Sequence, residues 1–162
     1  MRIRGKAHKY GENVDTDLIL PGRYLNITNA EELGRHCMED FDQEFRTRVQ
    51  LGDVIVARKN YGCGSSREHA PVAIKANGIS CVIADSFARI FYRNAINLAL
   101  PLVECPEVAA ITEMGDDIEV DLKRGIITNH TKRKSFGFTR YPESIMEILD
   151  AGGLIEYTRN TI

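Results

Sequence analysis

A chain of 162 residues has room for one compact domain with its own core, and residues 1–162 are expected to form one. Hydrophobic residues at 43% and charged residues at 27% are ordinary for a soluble globular protein, and a net charge of -2 gives no electrostatic case for nucleic-acid binding. No apolar window approaches the roughly 18 residues of a membrane span, and the basic start Met1-Arg2-Ile3-Arg4-Gly5-Lys6 has no hydrophobic stretch behind it, so a cytoplasmic location is the expectation.

Residues 2 to 10 alternate weakly and predict a first strand. Asn13 to Gly22 reads as a loop around Asn-Val-Asp-Thr-Asp, followed by Leu18-Ile19-Leu20 and the turn signal Pro21-Gly22. A helix is predicted from Asn29 to Asp40, with Asn29 as cap, Glu31 and Glu32 in the first turn, and Leu33 and Cys37 on one face. The charged segment Asp40 to Arg48 reads as a link.

Val54 to Ala57 is a continuous apolar run, which marks a strand covered on both faces. The turn Tyr61-Gly-Cys-Gly-Ser-Ser-Arg-Glu-His69 follows. Its glycines free the backbone beside two hydroxyls and a guanidinium, just before a helix that is predicted from about Ala70 to Asn77 and closed by Gly78. N–H groups, helix dipole and arginine together suit an anion. Ile79 to Ala84 is a second buried strand. Asp85-Ser86 are predicted to cap a helix carrying Phe87, Ile90, Phe91 and Leu98. Leu100 to Val103 is a short strand. Strand, helix, strand, helix, strand over residues 53 to 103 predicts an α/β domain with parallel pairing. Ile118 to Leu122 and Ile126 to Thr128 read as a hairpin around Lys123-Arg124-Gly125. Lys132-Arg133-Lys134 reads as a solvated turn or strand edge. A helix from about Pro142 to Ala151 ends at Gly152-Gly153, with a last strand at Leu154 to Tyr157.

The four cysteines, at 37, 63, 81 and 105, match no CxxC or zinc-finger spacing. Cys81 reads as a buried strand residue, and Cys37 and Cys105 as packing or surface thiols. Cys63, between two glycines, is weighed as an activated nucleophile and favoured as a small filler residue.

Three segments carry a resemblance. Tyr61-Gly-Cys-Gly-Ser-Ser-Arg-Glu-His-Ala-Pro71 resembles the active-site loop of the swivel domain of the aconitase superfamily. Asp15-Thr-Asp-Leu-Ile-Leu-Pro-Gly-Arg-Tyr-Leu25 resembles that domain's N-terminal signature, and Ser86-Phe-Ala-Arg-Ile-Phe-Tyr-Arg-Asn-Ala-Ile-Asn97 its third motif. The motifs keep the family's order over nearly the whole chain. The size resembles the family's separate small subunit, and the short loop at Tyr24-Leu25 its archaeal-type branch.

The resemblance implies a swivelling β/β/α domain, α/β in class, with a mixed, partly parallel sheet. It implies a hydro-lyase acting on a small di- or tricarboxylic 2-hydroxy acid through an alkene. It also implies a [4Fe-4S] cluster, bound by three cysteines of a large partner subunit in a heterodimer or heterotetramer and not by this chain. The chain alone would then be inactive.

By the same resemblance Ser65 is the general base and Asp17 pairs with a histidine of the large subunit. Ser66, Arg67 and Gly64 bind substrate, with Tyr24, Leu25, Asn26 and Arg23 on the specificity loop. Arg89, Asn94, Glu68 and His69 support the site from behind. Read locally, Ser65 is a helix cap, Arg67 a surface ion-pair partner, and Asp17 or Asp15 a turn residue bonding its own backbone. Some relatives carry a loop arginine for an extra carboxylate where this chain has Asn26 and Ile27. Its absence favours isopropylmalate, with dimethylmalate or homocitrate behind it, unless Arg23 compensates. A non-catalytic carboxylate-binding module on the same fold is the alternative.

Overall fold

The computed structural model describes residues 1–64 and 67–161. In it β1 (Arg2–Lys9), β2 (Val54–Val56), β3 (Cys81–Ala84), β4 (Leu102–Glu104), β5 (Asp117–Asp121), β6 (Ile126–Asn129) and β7 (Lys134–Gly137) form one seven-stranded sheet in the order β4-β3-β2-β1-β5-β6-β7. The β4 to β1 side is parallel, and the β1 to β7 side is antiparallel. β1 serves both. Its first half, Arg2 to Lys6, pairs antiparallel with β5, and Ala7 to Lys9 pair parallel with β2.

The apolar runs explain why the parallel strands lie inside. Side chains alternate across a strand. Ile55, Ala57, Val82 and Ala84 therefore enter one core with Leu33, Tyr61, Ile74 and Phe91. Val54, Val56, Cys81 and Ile83 enter the other, with Val103, Val108, Val120 and Ile127. Helices α4 (His69–Ala76) and α5 (Arg89–Asn97) are the parallel crossovers, α4 opening within a residue of its predicted start. Helices α1 (Thr16–Ile19), α2 (Ala30–Arg35) and α3 (Phe45–Arg48) precede β2. After β4 come α6 (Pro106–Ile111), α7 (Glu143–Ala151) and α8 (Leu154–Thr161).

Several expectations are corrected. The last strand, Leu154 to Tyr157, is instead α8. Gly152 closes α7 at φ 95, and a Cβ on Gly153 would stand 2.7 Å from the Asn97 carbonyl, so the chain turns tightly against α5. Tyr157 then bonds back to Glu147 of α7, and these contacts override the strand propensity of Leu-Ile-x-Tyr. The predicted Asn29–Asp40 helix keeps its cap but stops at Arg35, because Met38 adopts φ 62 and donates its N–H to the Ile19 carbonyl at 2.7 Å. Asp85 and Ser86 do not cap α5. Asp85 takes a bidentate pair from Arg58, and Ser86 accepts from the Asn60 N–H. The hairpin gains a third strand, β7, with Lys132-Arg133 in the turn before it.

The charged link carries a partly buried network. Arg48 Nε donates to His8 Nδ1 at 3.1 Å, so Nε2 carries the proton to Asp53 at 2.8 Å. Arg48 also reaches Asp42 at 2.6 Å, which accepts from Tyr10 at 2.8 Å. Phe45, with no exposed surface, packs edge-on to His8.

Candidate active site

The functional motifs leave the carboxyl ends of β1, β2 and β3, where open α/β sheets bind ligands. There the backbone continues the sheet order beyond the strands. The Gly62 N–H donates to the Val14 carbonyl and the Thr16 N–H to the Cys63 carbonyl, both at 2.8 Å. On the other side the Tyr61 N–H donates to Ser86 at 3.1 Å and the Ala88 N–H to Tyr61 at 3.0 Å. Three sequence-distant segments are thus laced side by side. Arg58 and Asp85, each next after the apolar run of a neighbouring parallel strand, clamp the two ends with hydrogen bonds of 3.1 to 3.2 Å. Sequence reading missed this clamp. Its signal was opposite charges at matching positions after Ala57 and Ala84.

Gly62 must be glycine. Its φ is +84, and a Cβ there would lie 2.2 Å from Cγ of Phe91. The Tyr61 ring packs edge-on against Phe91 and Phe87, with centroids at 5.5 and 6.2 Å. The buried Tyr61 hydroxyl has no hydrogen-bond partner among the described residues, and burial pushes its pKa well up. The Cys63 thiol is also pushed up, by burial and by the charge of Asp15, which opposes a thiolate nucleophile.

A shallow pocket opens beside the laced segments, lined by Thr16, Asp17, Leu20, Leu25, Arg67, His69 and Ala70. It brings together four of the sequence-nominated residues: Asp17, Leu25, Arg67 and His69. Asp15 is the turn residue, its carboxylate accepting from the Leu18 N–H at 2.9 Å to cap α1. That leaves Asp17, two residues on in the first turn of α1, exposed at the pocket. Gly64 lies against Thr16, where a Cβ would stand 3.1 Å from Thr16 Oγ1. His69 opens α4, and its buried Nδ1 has no hydrogen-bond partner among the described residues. Ser65 and Ser66 lie outside the described residues.

Other nominated residues stand apart from the lining. Arg23 pairs with Asp40 at 2.8 Å and Glu39 at 2.9 Å, and Tyr24 donates its hydroxyl to Glu39. Asn26 and Glu68 are exposed, Glu68 preceding α4 without a side-chain cap bond. Arg89 opens α5 on the surface, and Asn94 is half-buried along it. Among the described residues no group of three or more His, Cys, Asp or Glu side chains could hold a metal ion, and Cys37, Cys81 and Cys105 are buried in packing positions. No described helix is long and apolar enough to cross a membrane.

The chain is similar to known proteins in sequence and fold. A 3-isopropylmalate dehydratase small subunit of Caldicellulosiruptor bescii is 59% identical over all 162 residues and 98% of its own length. A 2,3-dimethylmalate dehydratase small subunit of Eubacterium barkeri is 55% identical, covering 99% of both chains. The crystal structure of a 3-isopropylmalate dehydratase from Methanocaldococcus jannaschii superposes with a TM-score of 0.94 at 48% identity, over 99% of this chain and 95% of that one. The sequence profile of the aconitase C-terminal domain matches residues 3–107. On the motifs, the sheet and these matches together, the chain belongs to the aconitase C-terminal domain family.

Proposed function

We propose that the chain is the small subunit of a 3-isopropylmalate hydro-lyase, which interconverts 2- and 3-isopropylmalate through 2-isopropylmaleate together with a cluster-bearing large subunit in the cytoplasm. The observation that carries this reading is the pocket joining Asp17, Leu25, Arg67 and His69, in a fold shared over full length with proteins of that name. The Arg67 guanidinium suits a bidentate grip on a substrate carboxylate. Ser65, between Gly64 and Arg67 in sequence, takes the proton from the carbon next to that carboxylate. The hydroxyl leaves from the neighbouring carbon, and water returns in the opposite sense. A free hydroxyl is a weak base, so its alkoxide needs nearby N–H groups and the arginine. Asp17, exposed at the pocket edge, meets a histidine of the partner subunit. Among the described residues no three Cys, His, Asp or Glu side chains gather to hold a metal, and the [4Fe-4S] group is assigned to that partner. When bound there, it supplies Lewis-acid activation of the substrate hydroxyl.

Leu25 presents an apolar wall suited to a branched alkyl group. The charge of Arg23 is matched by Asp40 and Glu39, so the loop offers no unpaired cation to a third carboxylate. This favours an alkyl-substituted malate over a tricarboxylic acid. The Eubacterium barkeri relative makes 2,3-dimethylmalate the second reading.

The test is reconstitution. Purified chain and large subunit are expected to hydrate 2-isopropylmaleate only together, and Ser65→Ala to lower kcat by about 10²- to 10⁴-fold, the usual range for a general base. Full activity of the Ser65→Ala pair overturns the role of Ser65. Carboxylate binding by the isolated chain with no activity in the pair supports a non-catalytic module instead.

A further inference from the structure

The specificity loop is held from outside the pocket. Residues Gly22–Tyr24 form a single 3-10 turn, closed by the Leu25 N–H bonding to the Gly22 carbonyl at 3.2 Å. That turn delivers Leu25 to the pocket, and Tyr24 and Ile27 pack it against the core, with the Ile27 N–H bonding to the Tyr24 carbonyl at 3.0 Å. The polar contacts that orient the Tyr24 and Arg23 side chains come from residues 36 to 40. His36 stacks face to face on the Tyr24 ring at 3.7 Å and 11°. The Arg23 guanidinium lies 4.7 Å from the same ring's centroid. Glu39 joins all three. One oxygen accepts from Tyr24 Oη and from Arg23 Nη2 at 2.9 Å, and the other contacts His36 Nδ1 at 3.2 Å. Asp40 completes the arginine's partners with two bonds of 2.8 Å.

This cluster is itself anchored. Met38, next to Glu39, is fully buried and tied to the Ile19 carbonyl. A continuous path of contacts therefore runs from the core, through Met38 and Glu39, to Tyr24 and Arg23, and so to Leu25 at the pocket. Isolated surface ion pairs contribute little, but a bidentate arginine pair joined to a stacked ring is the case where geometry is defined. The hydrogen bond from Tyr24, then those from His36 and Arg23, hold the Glu39 carboxyl below the usual range, so it is an acceptor throughout the neutral pH range.

We propose that Glu39 is a positioning residue for substrate-size selection: by holding Tyr24 and Arg23 it sets Leu25 against the alkyl group of the substrate. The inference rests on the hydro-lyase reading above. Glu39 does not line the pocket, so its loss acts on the alkyl contact rather than on proton transfer.

The experiment compares two acids on the reconstituted pair, 2-isopropylmaleate and 2-methylmaleate. With Glu39→Ala, KM for 2-isopropylmaleate is expected to rise about tenfold while kcat stays within about twofold, and KM for 2-methylmaleate to change little. The selectivity ratio then falls about tenfold, the lower end of what one or two methylene contacts discriminate. Glu39→Gln, whose carbonyl still accepts from Tyr24 and Arg23, is expected to return the ratio to within about threefold of the unsubstituted pair. Should Glu39→Ala fail to fold, Asp40→Asn loosens Arg23 alone and is expected to lower the ratio about threefold. An unchanged ratio in whichever variant is read, or an equal fall in kcat on both acids, overturns the inference. An unsubstituted pair inactive on both acids overturns the functional reading and this inference with it. An active unsubstituted pair whose variant keeps its ratio overturns the inference alone.

Discussion

Gly62 shows what a single side-chain atom does at this site. A methyl there meets the Phe91 ring at its root rather than at a flexible tip, and φ +84 strains any L side chain. Gly62→Ala is expected to cost about 2–4 kcal/mol, from overpacking and backbone strain together. Urea unfolding of the purified chain measures it, and a change below about 0.5 kcal/mol contradicts the packing account. Adding Phe91→Leu should recover part of the loss. The need for glycine was legible in the Tyr-Gly-Cys-Gly pattern; the reason was not, because Phe91 belongs to another motif and only the fold brings it under the turn. Asp15 and Asp17 divide in the same way. Of the two aspartates, Asp15 is the one expected to bond its own backbone, and the bond from the Leu18 N–H places it in that structural role and leaves Asp17 exposed.

At the scale of elements, parallel strands were legible because burial on both faces leaves an unbroken apolar run. The 154–157 segment shows the limit: Leu154 and Ile155 stay exposed, and the segment is set by the tight turn at Gly153 against α5 and by the bond from Tyr157 to Glu147 of α7 rather than by a strand partner. The segment from Asp40 to Arg48 shows another. It reads in sequence as a charged link, and its charges join β1 to α3 through Tyr10, Asp42, Arg48 and His8. Burial pulls the Asp42 carboxyl up, but the hydrogen bonds from Arg48 and Tyr10 outweigh it, and the net shift is downward. A depressed carboxyl contributes stability above its unfolded pKa, near 3.8, and that contribution is lost as pH falls through the lower folded value. Asp42→Asn is therefore expected to cost about 1–3 kcal/mol at neutral pH. The gap from the unsubstituted protein should narrow as pH is lowered from about 4, read by urea unfolding across that range. A gap that stays constant into strong acid contradicts the network's ionic character.

At the scale of the whole molecule, the site exists because of strand order. Residues 13–17, 61–64 and 86–88 meet only because β1, β2 and β3 lie side by side, and no local pattern in the sequence states that order. The element pattern gave parallel pairing over residues 53 to 103 and the resemblance a mixed sheet, but the place of β1 beside β2 comes from the fold. The placement of β1 at the seam has a further consequence for synthesis on the ribosome. Its second half finds a partner when β2 emerges, but its first half waits for β5, with Arg2 opposite Asp121. A nascent chain that has reached Ile111 carries all four parallel strands and the pocket segments, while one edge of β1 is bare. Unpaired edges recruit other chains. Arrested chains ending after Ile111 are expected to pellet on sedimentation, and chains extended past Gly137 to stay in the supernatant. Equal solubility of the two would mean that the bare edge is covered some other way. The same strand that organises the site is thus the chain's longest-lived exposure during its own birth.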